Sequence, residues 1–189
     1  MIKIAMVGDI GSGKSYIAEL FGYPVFNADL EVAEIYKTDK NCFKRLKKNL
    51  PKYFSVFPAN KIQIIKAIED SEKNLKKITK IIHPEVRKKL TIFLKKNKKR
   101  KAIILDIPLL LENKLNQKSD IIVFIQSKKS EIIKRLKKRD NFNLNLYSQF
   151  KKMQLPLSYK KKKSNHIIKN NFTNKPVKIS VKKLLKEII

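Results

Sequence analysis

Residues 2–15 read Ile2-Lys3-Ile4-Ala5-Met6-Val7-Gly8-Asp9-Ile10-Gly11-Ser12-Gly13-Lys14-Ser15, and this stretch decides the fold. The apolar run Ile2 to Val7 has strand length, and Ser15 to Gly22 reads as a helix closed by glycine. Between them, Gly8 to Ser15 fits G-x-x-x-x-G-K-[ST] in the setting that motif requires, after a strand and opening a helix. Such glycines let successive backbone N–H groups converge on a phosphate, and the free amides of the helix end add to that field. Lys14 is then placed for the β- and γ-phosphates and Ser15 for Mg²⁺. Only four glycines occur in the chain, all within its first 22 residues, where about 7% of positions is typical. A chain that keeps glycine only here keeps it where side chains do not fit.

Working outward, four further apolar runs suit strands: Val25 to Asn27, Ala102 to Ile107, Ile121 to Ile125 and, more weakly, His166 to Ile168. Non-alternating strands separated by helical stretches predict an α/β fold, a five-stranded parallel sheet covered on both faces in the three-layer manner of P-loop nucleotide-binding proteins. The basic amphipathic stretches from residue 30 to 99, broken at Pro51, Pro58 and Pro84, predict a helical insertion holding a second substrate. Residues 1–29 and 100–189 then form the nucleotide-binding core, with a lid over about 127–160. Val177, Val181, Leu184, Leu185 and Ile188 share one face of a last helix expected to pack on the sheet.

The 189 residues suit one domain, and 42% hydrophobic content spread along the chain supports a real core. No apolar run approaches the length of a membrane span and no secretion signal is evident, so a cytoplasmic protein without membrane association is expected. Cys42 is the single cysteine, which excludes an intrachain disulfide and a cysteine-based zinc site and leaves it to packing. The net charge of +29 invites an anionic partner. Of 45 basic residues, however, only five are Arg, and Lys, Ile and Asn make up 81 of 189 positions, the signature of AT-rich codons. The field attracts phosphates without specifying a nucleic acid, which would call for more arginine forks. Lys95 to Lys101 reads as a solvated loop.

No Asn-Lys-x-Asp guanine-reading motif is present, and the chain is short for a motor, which leaves small-molecule kinases. These need a base near the acceptor hydroxyl, a metal-holding acid and cations that close over phosphates. Asp29, at a strand's C-terminal edge, suits the base, or else a plain helix N-cap. Asp106, ending the third strand, is an outer Mg²⁺ ligand or a turn cap. Arg135 and Arg139, four apart, are two of the five arginines and suit closure over the transferred phosphoryl group.

From residue 4 to about 171 the chain resembles the dephospho-CoA kinases, which phosphorylate the ribose 3′-hydroxyl of dephospho-CoA with ATP and Mg²⁺. Gly11-Ser12-Gly13-Lys14-Ser15 resembles the family's phosphate loop, and Val25-Phe26-Asn27-Ala28-Asp29 its Val-Ile-Asp-Ala-Asp segment, with Asp29 matching the catalytic acid. Ile82-His83-Pro84 is similar to a His-Pro pair that opens a helix, with Arg87 matching a basic residue there. Pro108-Leu109-Leu110-Leu111-Glu112-Asn113 resembles the Pro-Leu-Leu-x-Glu motif, and Arg135-Leu136-Lys137-Lys138-Arg139-Asp140 the lid pattern. Gln154-Leu155-Pro156-Leu157, then Lys160, then Ile167-Ile168-Lys169-Asn170 complete the series.

The resemblance implies an ATP site of Gly8, Gly11, Ser12, Gly13, Lys14, Ser15, Tyr16 and Asn170 and catalysis by Asp29, Lys14, Arg135 and Arg139. It also implies acceptor contacts by Asp29, His83, Arg87, Pro108, Leu109 and Glu112, and metal contacts by Ser15 and Asp106. By residue type alone His83, preceding Pro84, is structural. ATP and dephospho-CoA are the partners implied, with Mg²⁺ as cofactor, and a monomer or weak homo-oligomer is expected. The departures are Asp9 for a usual Gly, Tyr16 for Thr, Asn27 for Asp, Lys61 for Arg, Ile132 for Gln, Asn165-His166 for Asp-Tyr, and no Gly after Asn170. Asp9 sets a carboxylate beside bound phosphates and weakens affinity unless it points outward. An active enzyme is expected, its rate left open. Alternatives are another P-loop nucleoside or small-molecule kinase and a nucleotide-dependent nucleic-acid-binding protein; a salt-dependent filter-binding titration separates the latter.

Overall fold

A computed structural model describes residues 1–138 and 142–189. Strand β1 (Ile2–Gly8) runs into the phosphate loop and α1 (Lys14–Leu20), then β2 (Val25–Asn27). Four helices follow: α2 (Ala28–Thr38), α3 (Lys40–Asn49), α4 (Lys61–Asp70) and α5 (Glu72–Lys96). The chain returns through β3 (Ala102–Asp106) and β4 (Ile121–Gln126) to α6 (Lys129–Lys137), α7 (Leu144–Lys152) and α8 (Leu157–Lys162). It ends with β5 (His166–Lys169) and α9 (Asn174–Ile188). Each helix of the first group starts at a residue whose side chain accepts a backbone N–H: Asn27, Asp39, Asn60 and Ser71.

The five strands are parallel in the order β2-β3-β1-β4-β5. β1 is central, with β3 and β4 on either side, so the chain reverses direction across the sheet at its C-terminal end. That is where an open α/β sheet leaves a ligand crevice. Alternate residues of the buried strands feed two cores. Ile4, Met6, Ile104, Val123 and Ile125 pack with Ile17 of α1 and Val177, Val181 and Leu184 of α9, so the last helix does cover the sheet. Ala5, Val7, Ile103, Leu105 and Phe124 face the other way, against Leu90, Phe93 and Leu94 of α5. A third core, including Phe43, Leu46, Phe54, Ile68, Leu75, Ile78 and Ile82, joins α2 to α5. The buried Cys42 thiol belongs to it. Leu146 and Met153 pack there too, which brings α7 against the helical group. No helix among the described residues is long and apolar enough to cross a membrane.

One expectation fails. Pro84 does not break the chain, and His83-Pro84 does not open a helix: both lie inside the 25-residue α5. Proline removes one helical hydrogen bond, whose lost acceptor is the carbonyl of Lys80. Lys80 is exposed, so water can take that carbonyl. Burial of Leu75, Ile78 and Ile82 before the proline, and of the Leu90 to Leu94 face against the sheet after it, holds one axis across the defect.

Candidate active site

The phosphate loop is braced from three sides. Gly8 abuts β4, where a Cβ would stand 2.7 Å from the Ile125 carbonyl oxygen. Gly13 has φ +88°, and a Cβ there would stand 2.4 Å from Asn170 Nδ2. These two positions need glycine for close approach and for left-handed backbone. Gly11 faces Leu136 and Ile132 of α6, so Ile132 serves as apolar packing for the loop. Asn170 Nδ2 donates to the Ser12 carbonyl at 2.8 Å, and Ser127 Oγ donates to the same oxygen at 3.0 Å. Asn170 therefore spends its amide on shaping the loop, and its Oδ1 on the Phe172 N–H. Ser12 Oγ is buried without a hydrogen-bond partner, a donor left over inside the cradle.

Lys14 Nζ donates to the Asp9 carbonyl at 2.8 Å. Burial pulls this ammonium below its ordinary pKa; Asp106 opposes that, Lys160 reinforces it, and Asp29 and Asp9 oppose it more weakly. Ser15 is exposed at the first turn of α1. The Tyr16 hydroxyl donates to Asn174 Oδ1 at 2.7 Å, so its side chain ties α1 to α9.

Asn27 pairs with Asp106 across adjacent strands, its Nδ2 donating to Asp106 Oδ2 at 3.0 Å. Its Oδ1 caps α2 by accepting the Leu30 N–H at 3.0 Å. The N-cap is thus Asn27 and not Asp29, whose carboxyl is left for other work. Asp29 keeps part of its surface exposed, yet partial desolvation against the site wall pushes its carboxyl above its ordinary pKa, Asp106 adds to the rise, and Lys14 opposes it. Ser15 and Asp106 carry hard oxygen donors of the kind Mg²⁺ takes, the remainder normally coming from phosphate and water. Among the described residues no cluster of three or more His, Cys, Asp and Glu forms a protein-only cage.

Asp29 also lines a cavity of about 420 Å³ between the helical group and the sheet. His83, Arg87, Pro108 and Leu109 share its wall, which is otherwise mostly apolar. Burial, then the Arg87 charge, holds the His83 imidazole below its usual pKa and therefore neutral. Glu112 does not line this cavity. Its carboxylate takes the Lys160 ammonium at 2.6 Å and the Leu155 N–H at 3.0 Å, with Lys160 only 1% exposed. It fixes the segment after α7. Removing one partner of a buried pair leaves the other charge uncompensated, so Glu112→Ala should cost about 3–5 kcal/mol. Urea unfolding measures this, and Lys160→Met/Glu112→Leu should recover much of it.

Arg135 stacks on the Phe172 ring, its guanidinium carbon 4.5 Å from the centroid, and that ring's edge adjoins Gly13. Arg139 lies outside the described residues. Asp9 is buried and does not point outward. Its Oδ1 accepts the Ile10 N–H at 2.7 Å and pairs with Lys151 Nζ of α7 at 2.5 Å. Lys151, Phe172 and the capping role of Asn27 escape sequence reasoning. Only Asn27 carries a local signal, an Asn three residues before the amide it caps.

A family model described as dephospho-CoA kinase matches residues 2–175. A dephospho-CoA kinase of Wolbachia sp. subsp. Brugia malayi (strain TRS) is 33% identical, covering 96% of this chain and 95% of its own. A Thermus thermophilus protein of solved structure superposes with a TM-score of 0.78 at 25% identity, covering 100% of this chain and 98% of that one. The dephospho-CoA kinase from Campylobacter jejuni shares the fold, with a TM-score of 0.67 at 21% identity over 98% of this chain and 96% of that one.

Proposed function

The chain belongs to the dephospho-CoA kinase family, the ATP-dependent kinases of coenzyme A biosynthesis, and we propose how its own residues carry out that transfer. The loop amides from Gly8 to Tyr16 and the Lys14 ammonium hold the β- and γ-phosphates of ATP. Lys14 leaves the Asp9 carbonyl to do so. Ser15 and Asp106 hold Mg²⁺, which when bound offsets charge on the phosphate oxygens. The acceptor lies in the cavity walled by His83, Arg87, Pro108 and Leu109, between the helical group over residues 30–99 and the sheet. Neutral His83 serves as a polar contact rather than a charge.

Asp29 belongs to the cavity wall and is coupled to Lys14 and Asp106 across the nucleotide side. That double placement carries the mechanism. Its carboxylate takes the proton of the ribose 3′-hydroxyl as that oxygen bonds to the γ-phosphorus and the bond to the β-phosphate oxygen breaks. Arg135 leaves Phe172 to meet the charge spread over the transferred group, with Arg139 as its partner in the lid region of about 127–160. Asn170 shapes the loop from β5, and Glu112 acts through Leu155 and Lys160. A soluble cytoplasmic enzyme, monomeric or weakly self-associating, suits these parts.

The test is incubation of the protein with ATP, Mg²⁺ and dephospho-CoA, following the product by mass. Gain of one phosphoryl group, giving a product active as coenzyme A, is expected. Transfer to adenosine or shikimate in preference to dephospho-CoA would overturn the acceptor assignment.

A further inference from the structure

We propose that Lys151 is a positioning residue that neutralises Asp9 inside the phosphate loop and, through that pair, seats one wall of the acceptor cavity. The inference rests on the ATP site proposed above. Asp9 follows the first glycine of the loop, and its side chain is only 9% exposed. Its carbonyl accepts both Lys14 Nζ and the Ser12 N–H, so its backbone is part of the cradle. A carboxylate fixed there opposes the approach of a triphosphate. Its Oδ1 is instead held at 2.5 Å by Lys151 Nζ, which comes from the last turn of α7, 142 residues along the chain.

The same turn reaches the acceptor side. Phe150, Met153 and Gln154, which flank Lys151, line the 420 Å³ cavity, and the Leu155 N–H anchors on Glu112. One ion pair therefore joins the loop that holds the donor to the segment that walls the acceptor. Among the described residues, Lys151 is the lysine whose ammonium meets the Asp9 carboxylate.

A double-mutant cycle tests it, with calorimetry giving the ATP Kd and steady-state kinetics the acceptor KM. Lys151→Met leaves a bare carboxylate in the cradle and should weaken ATP roughly tenfold while raising the acceptor KM severalfold. Asp9→Asn keeps an oxygen for the Ile10 N–H and loses the strap, so the acceptor KM rises while ATP affinity holds or improves. In the Asp9→Asn background, Lys151→Met should add less than about twofold to the ATP Kd. Lys151→Arg should restore ATP binding, and Lys152→Met, which removes an equal charge from the exposed neighbour, should change the ATP Kd less than about twofold.

An equal ATP loss in both backgrounds would mean that Lys151 meets phosphate directly and would overturn the proposal. So would no loss in either, or an acceptor KM unmoved by all three variants. If Lys151→Met lacks a thermal unfolding transition, Lys151→Gln replaces it with the same expectations. Wild-type protein that fails to bind ATP would count against the proposed nucleotide site itself, a separate result from any outcome of the cycle.

Discussion

Replacing Asp29 by Asn should lower kcat by on the order of 10²–10⁴ while ATP still binds. The amide preserves size and cannot take a proton from the acceptor hydroxyl. Because burial and Asp106 raise the Asp29 pKa, the active carboxylate is lost as pH falls through a value above the usual carboxylate range. The kcat/KM profile of the wild type should therefore show an acidic limb displaced upward, and that limb should vanish in Asp29→Asn. Stability should barely move. A carboxyl with a raised folded pKa costs the fold most when ionised, but Asp29 is exposed and solvent screens that cost, so near neutral pH the Asn variant should unfold at close to the wild-type temperature. A variant with near-normal turnover, or a lost thermal transition, would refute the assignment of Asp29 as a base free of structural duty.

The second large effect is at Lys14. Lys14→Met should reduce kcat/KM by on the order of 10²–10³ through loss of a charge aimed at the transferred phosphoryl group, with a weakened ATP Kd beside it. It should also act on Asp29 without touching it. Lys14 is the charge that holds the Asp29 carboxyl down against burial and Asp106. Without it, the acidic limb of the residual activity should move still higher. A limb that stays in place while kcat/KM falls would mean that the two side chains are not electrically coupled, and that the limb belongs to another group.

The reach of sequence reasoning varies with how local each cause is. The phosphate loop was legible because its constraint is local: Gly8 and Gly13 sit where a Cβ would meet Ile125 or Asn170, and a lysine-rich chain kept glycine there. The five strands were legible because a sheet buried on both faces needs unbroken apolar runs, and those are scarce in so basic a sequence. Pro84 was misread. As local punctuation a proline ends a helix, but burial on both sides of it carries α5 through. In one dimension Asn27 is only a departure from an aspartate; in the fold it caps α2 and braces Asp106.

Glu112 and Asp9 mark the limit most clearly. The family resemblance alone offers Glu112 as an acceptor contact and makes Asp9 an obstacle to the donor unless it points outward; neither reading names the lysine that each carboxylate meets. Their partners, Lys160 and Lys151, come from 48 and 142 residues further along the chain, among 40 lysines that look alike in one dimension. Local backbone chemistry and hydrophobic periodicity are written residue by residue, so the order of the chain alone determined the cradle, the strands and the class of reaction. Which cation neutralises which carboxylate depends on distances of a few ångströms across separate elements, and only the folded chain decides those.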